Sequence, residues 1–322
     1  MTMGPPRDRT HGVPDERRRV LNARPLRRRG MGARHVLYWM TATRRTRCSF
    51  ALQRALGLAE ELGLPLVVLE GLGAGYPDAT ARVAGEVLAG MVDNHAAFRA
   101  AGARLGPGAP RYLAYLEPRP GAGRGLVRAL AAEAAAVVGD AYPTHVQPPM
   151  QRALSAHLDV AHELVDSATL VPMSTAPKAF ARAVDLRRWL HRRLPEELDR
   201  WPRTEPLADH VPAPDARTDH LDHTLRPWPM VLDSSRPAPD GAGADSPALR
   251  RALAELEIDQ DVAVPRCARG TLGPVAARAR LGAFLDNDLA AYADQRRRLG
   301  DTSQLSPALH HGHLGVHEVL AR

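Results

Sequence analysis

Residues 35 to 72 read HVLYWMTATRRTRCSFALQRALGLAEELGLPLVVLEGL, and this stretch decides the fold class. Two short apolar runs, His35 to Met40 and Pro65 to Leu72, flank an Ala- and Leu-rich helical pattern over Ser49 to Leu62. A strand, a helix and a second strand in that order leave room for a crossover, so the strands are expected to lie parallel in a right-handed βαβ unit.

The alternation continues outward. Further apolar runs stand at Arg111 to Leu116, Ala135 to Asp140 and His162 to Asp166, with helical stretches at Thr80 to Ala101, Gly125 to Ala134 and Met150 to Leu158. The pattern predicts an α/β, Rossmann-like domain with a doubly wound parallel sheet. Its ligand crevice should lie at the carboxyl ends of the strands, near the switch in strand order. A helix over Ala176 to Leu194 carries Lys178, Arg182, Arg187, Arg188, Arg192 and Arg193. That cluster reads either as a solvated helix face or as a DNA contact.

Beyond residue 201 the composition changes. Residues 202 to 247 hold nine prolines and a Gly-Ala-Gly-Ala tract at 241 to 244, the composition of a surface linker between two bodies. Ser246-Pro247 then supplies a cap and first-turn pair before a helical pattern, and Leu281, Phe284, Leu285, Leu289 and Tyr292 fall on one helix face that Gly300 closes. Ser306-Pro307 repeats the cap signal. The expected organisation is a basic N-terminal arm at 1–32, an α/β domain at 33–201, a Pro-rich linker at 202–247 and a helical region at 248–322.

At 322 residues, with 44% hydrophobic and 25% charged residues, the chain is long enough for two globular domains, and disorder and fibrous repeats are excluded. No apolar run approaches the ~18 residues of a membrane span, so a soluble protein with no membrane partner is expected. Cys48 and Cys267 are too few for a disulfide framework, which fits a reducing cytoplasm. The formal charge of +7 is concentrated at the start, where residues 1 to 30 hold nine arginines against Asp8, Asp15 and Glu16. Such an arm is either a flexible tail that neutralises nucleic-acid phosphates or a solvated extension.

Three stretches read together resemble the photolyase/cryptochrome family. VLNARPLRRRGMGARHVLYWM (20 to 40), with the helix after it and YPDA at 76 to 79, is similar to the opening of class II deoxyribodipyrimidine (CPD) photolyases, with Ser49 where that pattern has Asn. VVGDAYPTHVQP (137 to 148), VDSATLVP (165 to 172) and AFARAVDLRRWL (179 to 190) resemble the family's later strands and the helix closing its antenna domain. YADQR (292 to 296) and TSQLSPALHHGHLGVHEV (302 to 319) resemble its flavin-contacting motif, with His311 in place of an aromatic residue and Gly315 in place of Ser.

The resemblance implies light-driven, FAD-dependent splitting of cyclobutane pyrimidine dimers in DNA. It places the FAD phosphates and ribityl chain on Thr302, Ser303, Gln304, Leu305 and Ser306, with Tyr292 reaching the same group, and it implies an antenna chromophore whose identity the sequence leaves open. The residues themselves allow two readings, since a Thr-Ser-x-x-Ser run before a Pro-started helix is either an anion site or a plain N-cap. In the family most of the helical FAD domain follows this motif, whereas fifteen residues follow Pro307 here. None of Trp39, Trp189, Trp201 and Trp228 lies in the helical region. The expectation is a chain truncated within the FAD-binding domain, either inactive or completed by a second polypeptide.

Other signals are weaker. His310, His311, His313 and His317 with Glu318 invite a metal reading, but lack the Glu of the zinc-protease helix and coincide with histidines of the family motif, so no metal site is predicted. Gly121 to Gly125 lacks P-loop spacing and is read as a turn. A different class of function, a non-enzymatic nucleotide- or DNA-binding α/β module, stays open on these residues.

Overall fold

The computed structural model describes residues 12–76, 79–144, 146–239, 246–262, 272–295, 298 and 302–322. Among them a seven-stranded sheet forms from β1 (Arg18–Val20), β2 (His35–Met40), β3 (Leu66–Leu72), β4 (Arg111–Leu116), β5 (Ala134–Asp140), β6 (Ala161–Val165) and β7 (Leu232–Asp233). Its order is β1-β6-β5-β2-β3-β4-β7. The five central strands are parallel, and β1 and β7 close the two edges antiparallel to β6 and β4. Each of the five predicted strands matches a central strand to within a residue at each end.

Strand β2 is buried along its whole length because helices cover both faces. Val36, Tyr38 and Met40 pack against α1 (Phe50–Leu62) and α2 (Ala81–Leu105), while Leu37 and Trp39 pack with α3 (Leu126–Ala131) and Met150 and Leu154 of α4 (Gln147–Ser155). The chain therefore winds to one side of β2 for α1 and α2 and to the other for α3 and α4. That change of direction, between β5 and β2, is the topological switch.

The two segments expected to lie free of the domain are built into it. Arg17, 1% exposed, donates to the carbonyls of Thr169 and Leu170 at 2.8 and 2.7 Å and lies over the Phe50 ring at 4.5 Å. Strand β1 follows at once and covers the edge of β6, so the described part of the basic arm is built into the domain, with Arg18–Val20 in the sheet; Arg7 and Arg9 lie outside the described residues. A row of guanidinium donors finds carbonyl acceptors here that solvent would otherwise have to satisfy. The Pro-rich stretch likewise sends Leu207 into one core and Leu221 and Leu225, around α6 (Leu221–Thr224), into the other, before β7 pairs with β4. Arg111 fixes it with a bidentate bond to Asp233 at 3.1 and 2.7 Å. The Gly-Ala-Gly-Ala tract lies outside the described residues.

After α5 (Ala183–Glu197), α7 (Pro247–Ala254) places Leu249 on the α1–α2 core. The helix face expected to run from Leu281 to Tyr292 is divided between α8 (Gly273–Asn287) and α9 (Leu289–Gln295), with Phe284 and Tyr292 meeting edge to face at 5.1 Å. Gly300, expected to end that helix, lies outside the described residues. Ala277 and Leu281 of α8 form a small cluster with Leu305 and Leu314, which flank α10 (Ser306–His310) and precede α11 (Val316–Ala321). No described helix is long and apolar enough to cross a membrane.

Candidate functional site

A crevice of about 560 Å³ opens at the carboxyl ends of β2, β3 and β4, beside the switch point. Its walls are apolar and aromatic: Trp39, Leu69 and Tyr115 from the strands, Val83, Ala84 and Val87 from α2, Leu126 from α3 and Met150 from α4. Tyr76 and Tyr142 stand at the loops, and His310 and His311, at the end of α10, close one side. Volume and lining both fall in the range of small-molecule sites.

Two carboxylates organise the loops around this crevice. Asp140, at the end of β5 and fully buried, accepts the backbone N–H groups of Thr41, Ala42 and Thr43 at 2.8, 2.7 and 3.0 Å through one oxygen, and the Tyr38 hydroxyl at 2.8 Å through the other. Glu117, just past β4, accepts from Gly121 and Gly123 at 3.0 and 2.9 Å and from Ala74 at 2.9 Å. The Gly-rich loop at 121 to 125 is thus a turn wrapped around a side chain, as its spacing suggested. Arg44, the guanidinium that lines the crevice, is committed to buried Glu70 at 2.9 Å, which also takes the Tyr112 hydroxyl at 2.6 Å and the Asn94 amide at 2.9 Å.

The helix starts near the crevice are also satisfied from within. At α2, Ala81 donates to Asp259 at 2.8 Å, Arg82 to Val262 at 2.9 Å and Val83 to the Thr80 hydroxyl at 3.3 Å. At α1, Ala51 and Leu52 donate to the hydroxyls of Ser167 and Ser49 at 2.8 and 3.2 Å. Helix α4 begins Gln147-Pro148-Pro149, so two of its first positions carry no donor. Two polar atoms that belong to lining residues have no partner inside the protein, Thr41 Oγ1 and Gln147 Oε1.

The C-terminal segment is pinned to the turn after β2. Buried Arg45 donates to Gly312 at 3.0 Å, Cys48 at 3.1 Å and Ser167 at 2.8 Å, tying residues distant in sequence to one guanidinium. A side chain on Gly312 would overlap the Ala42 carbonyl, and one on Gly90 of α2 would overlap the His313 ring. His311 pairs with Glu86 at 2.9 Å. His313 is pushed down to about 3 by burial and by His311, Arg44 and Arg45, and His317 to about 3 by burial and by Arg17 and Arg45. The two histidines point to different places: His317 sits edge-on to Phe50 and Trp201 at 5.4 and 5.5 Å, whereas His313 faces Gly90.

The residues expected to hold FAD phosphates form an exposed loop at the start of α10. Thr302, Gln304 and Ser306 are exposed and Ser303 is half-buried, while Leu305 is buried in the small C-terminal core, its N–H directed to the Ser303 hydroxyl at 3.5 Å and its carbonyl taken by Leu309 at 3.0 Å. Gln304 adopts a φ of 56°, which makes the turn. Arg280 holds the loop, donating to the carbonyls of Ser303 and Thr302 at 2.9 and 3.3 Å, and is itself paired with Asp288 at 3.1 Å. Exposed hydroxyls can donate to a phosphate. Tyr292 stands on Phe284.

Sequence reading located the crevice by topology and missed Glu117, Asp140, Arg45 and the glycine interlock. Asp140 does end an apolar run, VVGD, which is the one local sign of a strand-end carboxylate; Glu117 has its partners in loops forty-three residues upstream and six downstream.

Among solved structures the chain resembles a cryptochrome from Synechocystis sp. PCC6803, with a TM-score of 0.52, 15% identity and coverage of 90% of this chain and 55% of that one. The fold is of photolyase/cryptochrome type. A class III photolyase from Agrobacterium tumefaciens is similar at a TM-score of 0.47, with 18% identity over 90% of this chain and 52% of that one. The chain thus spans about half the length of these structures. No protein-family model matches it, and no curated protein does. Within a photolyase/cryptochrome-type fold, the mostly parallel sheet corresponds to the N-terminal α/β domain.

Proposed function

We propose that this chain provides the antenna-type α/β domain and the first flavin-contacting segment of a class II-type CPD photolyase, an enzyme that uses light and FAD to split cyclobutane pyrimidine dimers in DNA. The observation that supports this reading best is the position of α10. One end of this single turn carries the Thr302–Ser306 loop, and the other, at His310 and His311, lines the α/β crevice. One element, in this reading, carries the flavin phosphate loop and closes one side of the pigment crevice.

In this reading Thr302, Ser303, Gln304, Leu305 and Ser306 hold the pyrophosphate and ribityl chain, the hydroxyls of Thr302, Ser303 and Ser306 supplying the donors, and Tyr292 reaches the same group. The crevice keeps an antenna pigment dry between Trp39 and Tyr115. FAD supplies light-driven electron transfer when bound, and the protein contributes orientation and exclusion of water. The dimer, already poorly stacked, leaves the duplex at low cost.

The test titrates the full chain with FAD and then offers an oligonucleotide containing a thymine dimer. FAD should bind, Ser303→Ala with Ser306→Ala should weaken it, and in the presence of a polypeptide that supplies further flavin contacts the dimer content should fall under blue light and stay constant in darkness. A folded chain that takes up no FAD would count against the reading.

A further inference from the structure

We propose that the crevice selects a flat, uncharged heteroaromatic ligand and rejects its phosphorylated form, with Glu117 as the specificity-determining residue. The proposal rests on reading the crevice as a pigment site. Open α/β sheets usually bind phosphates at this place, where loop N–H groups and helix N-termini converge. Here those donors are already used. Asp140 fills the nest formed by Thr41, Ala42 and Thr43, and Glu117 fills the one formed by Ala74, Gly121 and Gly123.

The remaining positive features are withdrawn too. The donors at the start of α2 are capped by Thr80, Asp259 and Val262, two first-turn positions of α4 are proline, and Arg44 is held by Glu70. A phosphate entering would meet the Glu117 carboxylate and no unpaired guanidinium among the described lining residues. What the lining offers instead is an apolar and aromatic wall, since the unpartnered Thr41 hydroxyl and Gln147 amide oxygen are sealed from solvent. Such a wall suits a flat, uncharged ring. Gly73 and Gly123 allow the close wrapping of Glu117, since a Cβ at either would lie 3.3 Å from its oxygens.

Riboflavin and FMN share one ring system and differ by a phosphate, so they isolate the effect. Binding of radiolabelled riboflavin to the full chain is measured by equilibrium dialysis at about 50 and about 500 mM salt, and unlabelled FMN is then used as competitor, so that FMN held at the Thr302–Ser306 loop does not count. Riboflavin should bind with an affinity that salt leaves unchanged, and FMN should compete about tenfold or more weakly at low salt, where repulsion by Glu117 is least screened. Glu117→Gln keeps an acceptor for the Gly121–Gly123 turn, removes the charge and frees the Ala74 N–H, so FMN should gain about tenfold relative to riboflavin. FMN competing as tightly as riboflavin in the unaltered chain, or a folded E117Q variant with the same preference, overturns the proposal. Should E117Q not fold, the FMN comparison in the unaltered chain decides alone. Absence of riboflavin binding overturns the proposal and the pigment role of the crevice together; dimer splitting under light is a separate readout and would survive.

Discussion

Among the described residues, burial lowers the pKa of His35, His162, His313 and His317 far enough to hold the rings neutral. His35 is lowered to about 3 by burial and by His220, whose ring nitrogen lies 3.1 Å away; His162 falls to about 4 by burial, and His313 and His317 to about 3. Above the unfolded-state value of 6.5 both folded and unfolded chains leave these rings neutral, and the full stability is present. Below 6.5 the unfolded chain takes up protons that the folded chain refuses, so stability is lost progressively as the pH falls toward 3 to 4. Each ring adds at most about 1.4 kcal/mol per pH unit in that window. Urea midpoints measured at neutral pH and at about one and two units below 6.5 should therefore fall steeply; a flat profile would mean that these rings are solvated. Among them, His313 and His317 hold the C-terminal segment, so its protection from hydrogen exchange should be lost before that of β2.

At the scale of elements, the C-terminal segment is held by shape as much as by bonds. Gly312 has a φ of 71° and abuts Ala42, and Gly90 leaves room for His313. Gly312→Ala combines backbone strain with a clash against the main chain and should cost about 2 to 4 kcal/mol. The loss should appear as release of α10 and α11 with the central sheet intact, seen as new proteolytic cleavage after residue 302. Unchanged cleavage would show that the segment docks without this contact. The same elements explain what could be read from the sequence. The five central strands are continuous apolar runs separated by helix-length segments, and burial on both faces makes such strands conspicuous. Strands β1 and β7 have three and two residues, and their pairing depends on backbone bonds to partners more than a hundred residues away. Arginines and prolines dominate their neighbourhoods, so composition points to an arm and a linker where folding produces two edges. For the site, the Thr302–Ser306 motif was visible as a string, and the crevice followed from strand order. The carboxylates that fill the nests were not, because a glutamate accepting three distant N–H groups looks locally like any other glutamate.

For the whole molecule, the positive charge of the N-terminal region from Arg17 onward is fixed on the α/β domain, at the edge strand β1 and then beside the starts of β6 and β5. Arg19, Arg24 and Arg28 are exposed there, whereas Arg17 is used internally. Deleting residues 1 to 30 would remove β1 and Arg17 and so would confound binding with folding. Replacing Arg19, Arg24 and Arg28 together by Glu should leave the thermal midpoint nearly unchanged. If this region contacts DNA, the variant should bind it more weakly, with a salt dependence shallower by about two to three units. An unchanged slope would assign the DNA contact elsewhere. The antiparallel edges carry one more consequence. A long parallel edge invites another chain to add a strand, but β1 and β7 are too short to act as templates. Among the described residues the sheet therefore presents only short edges, and a protein that docks on this surface should owe its affinity to side chains rather than to main-chain pairing.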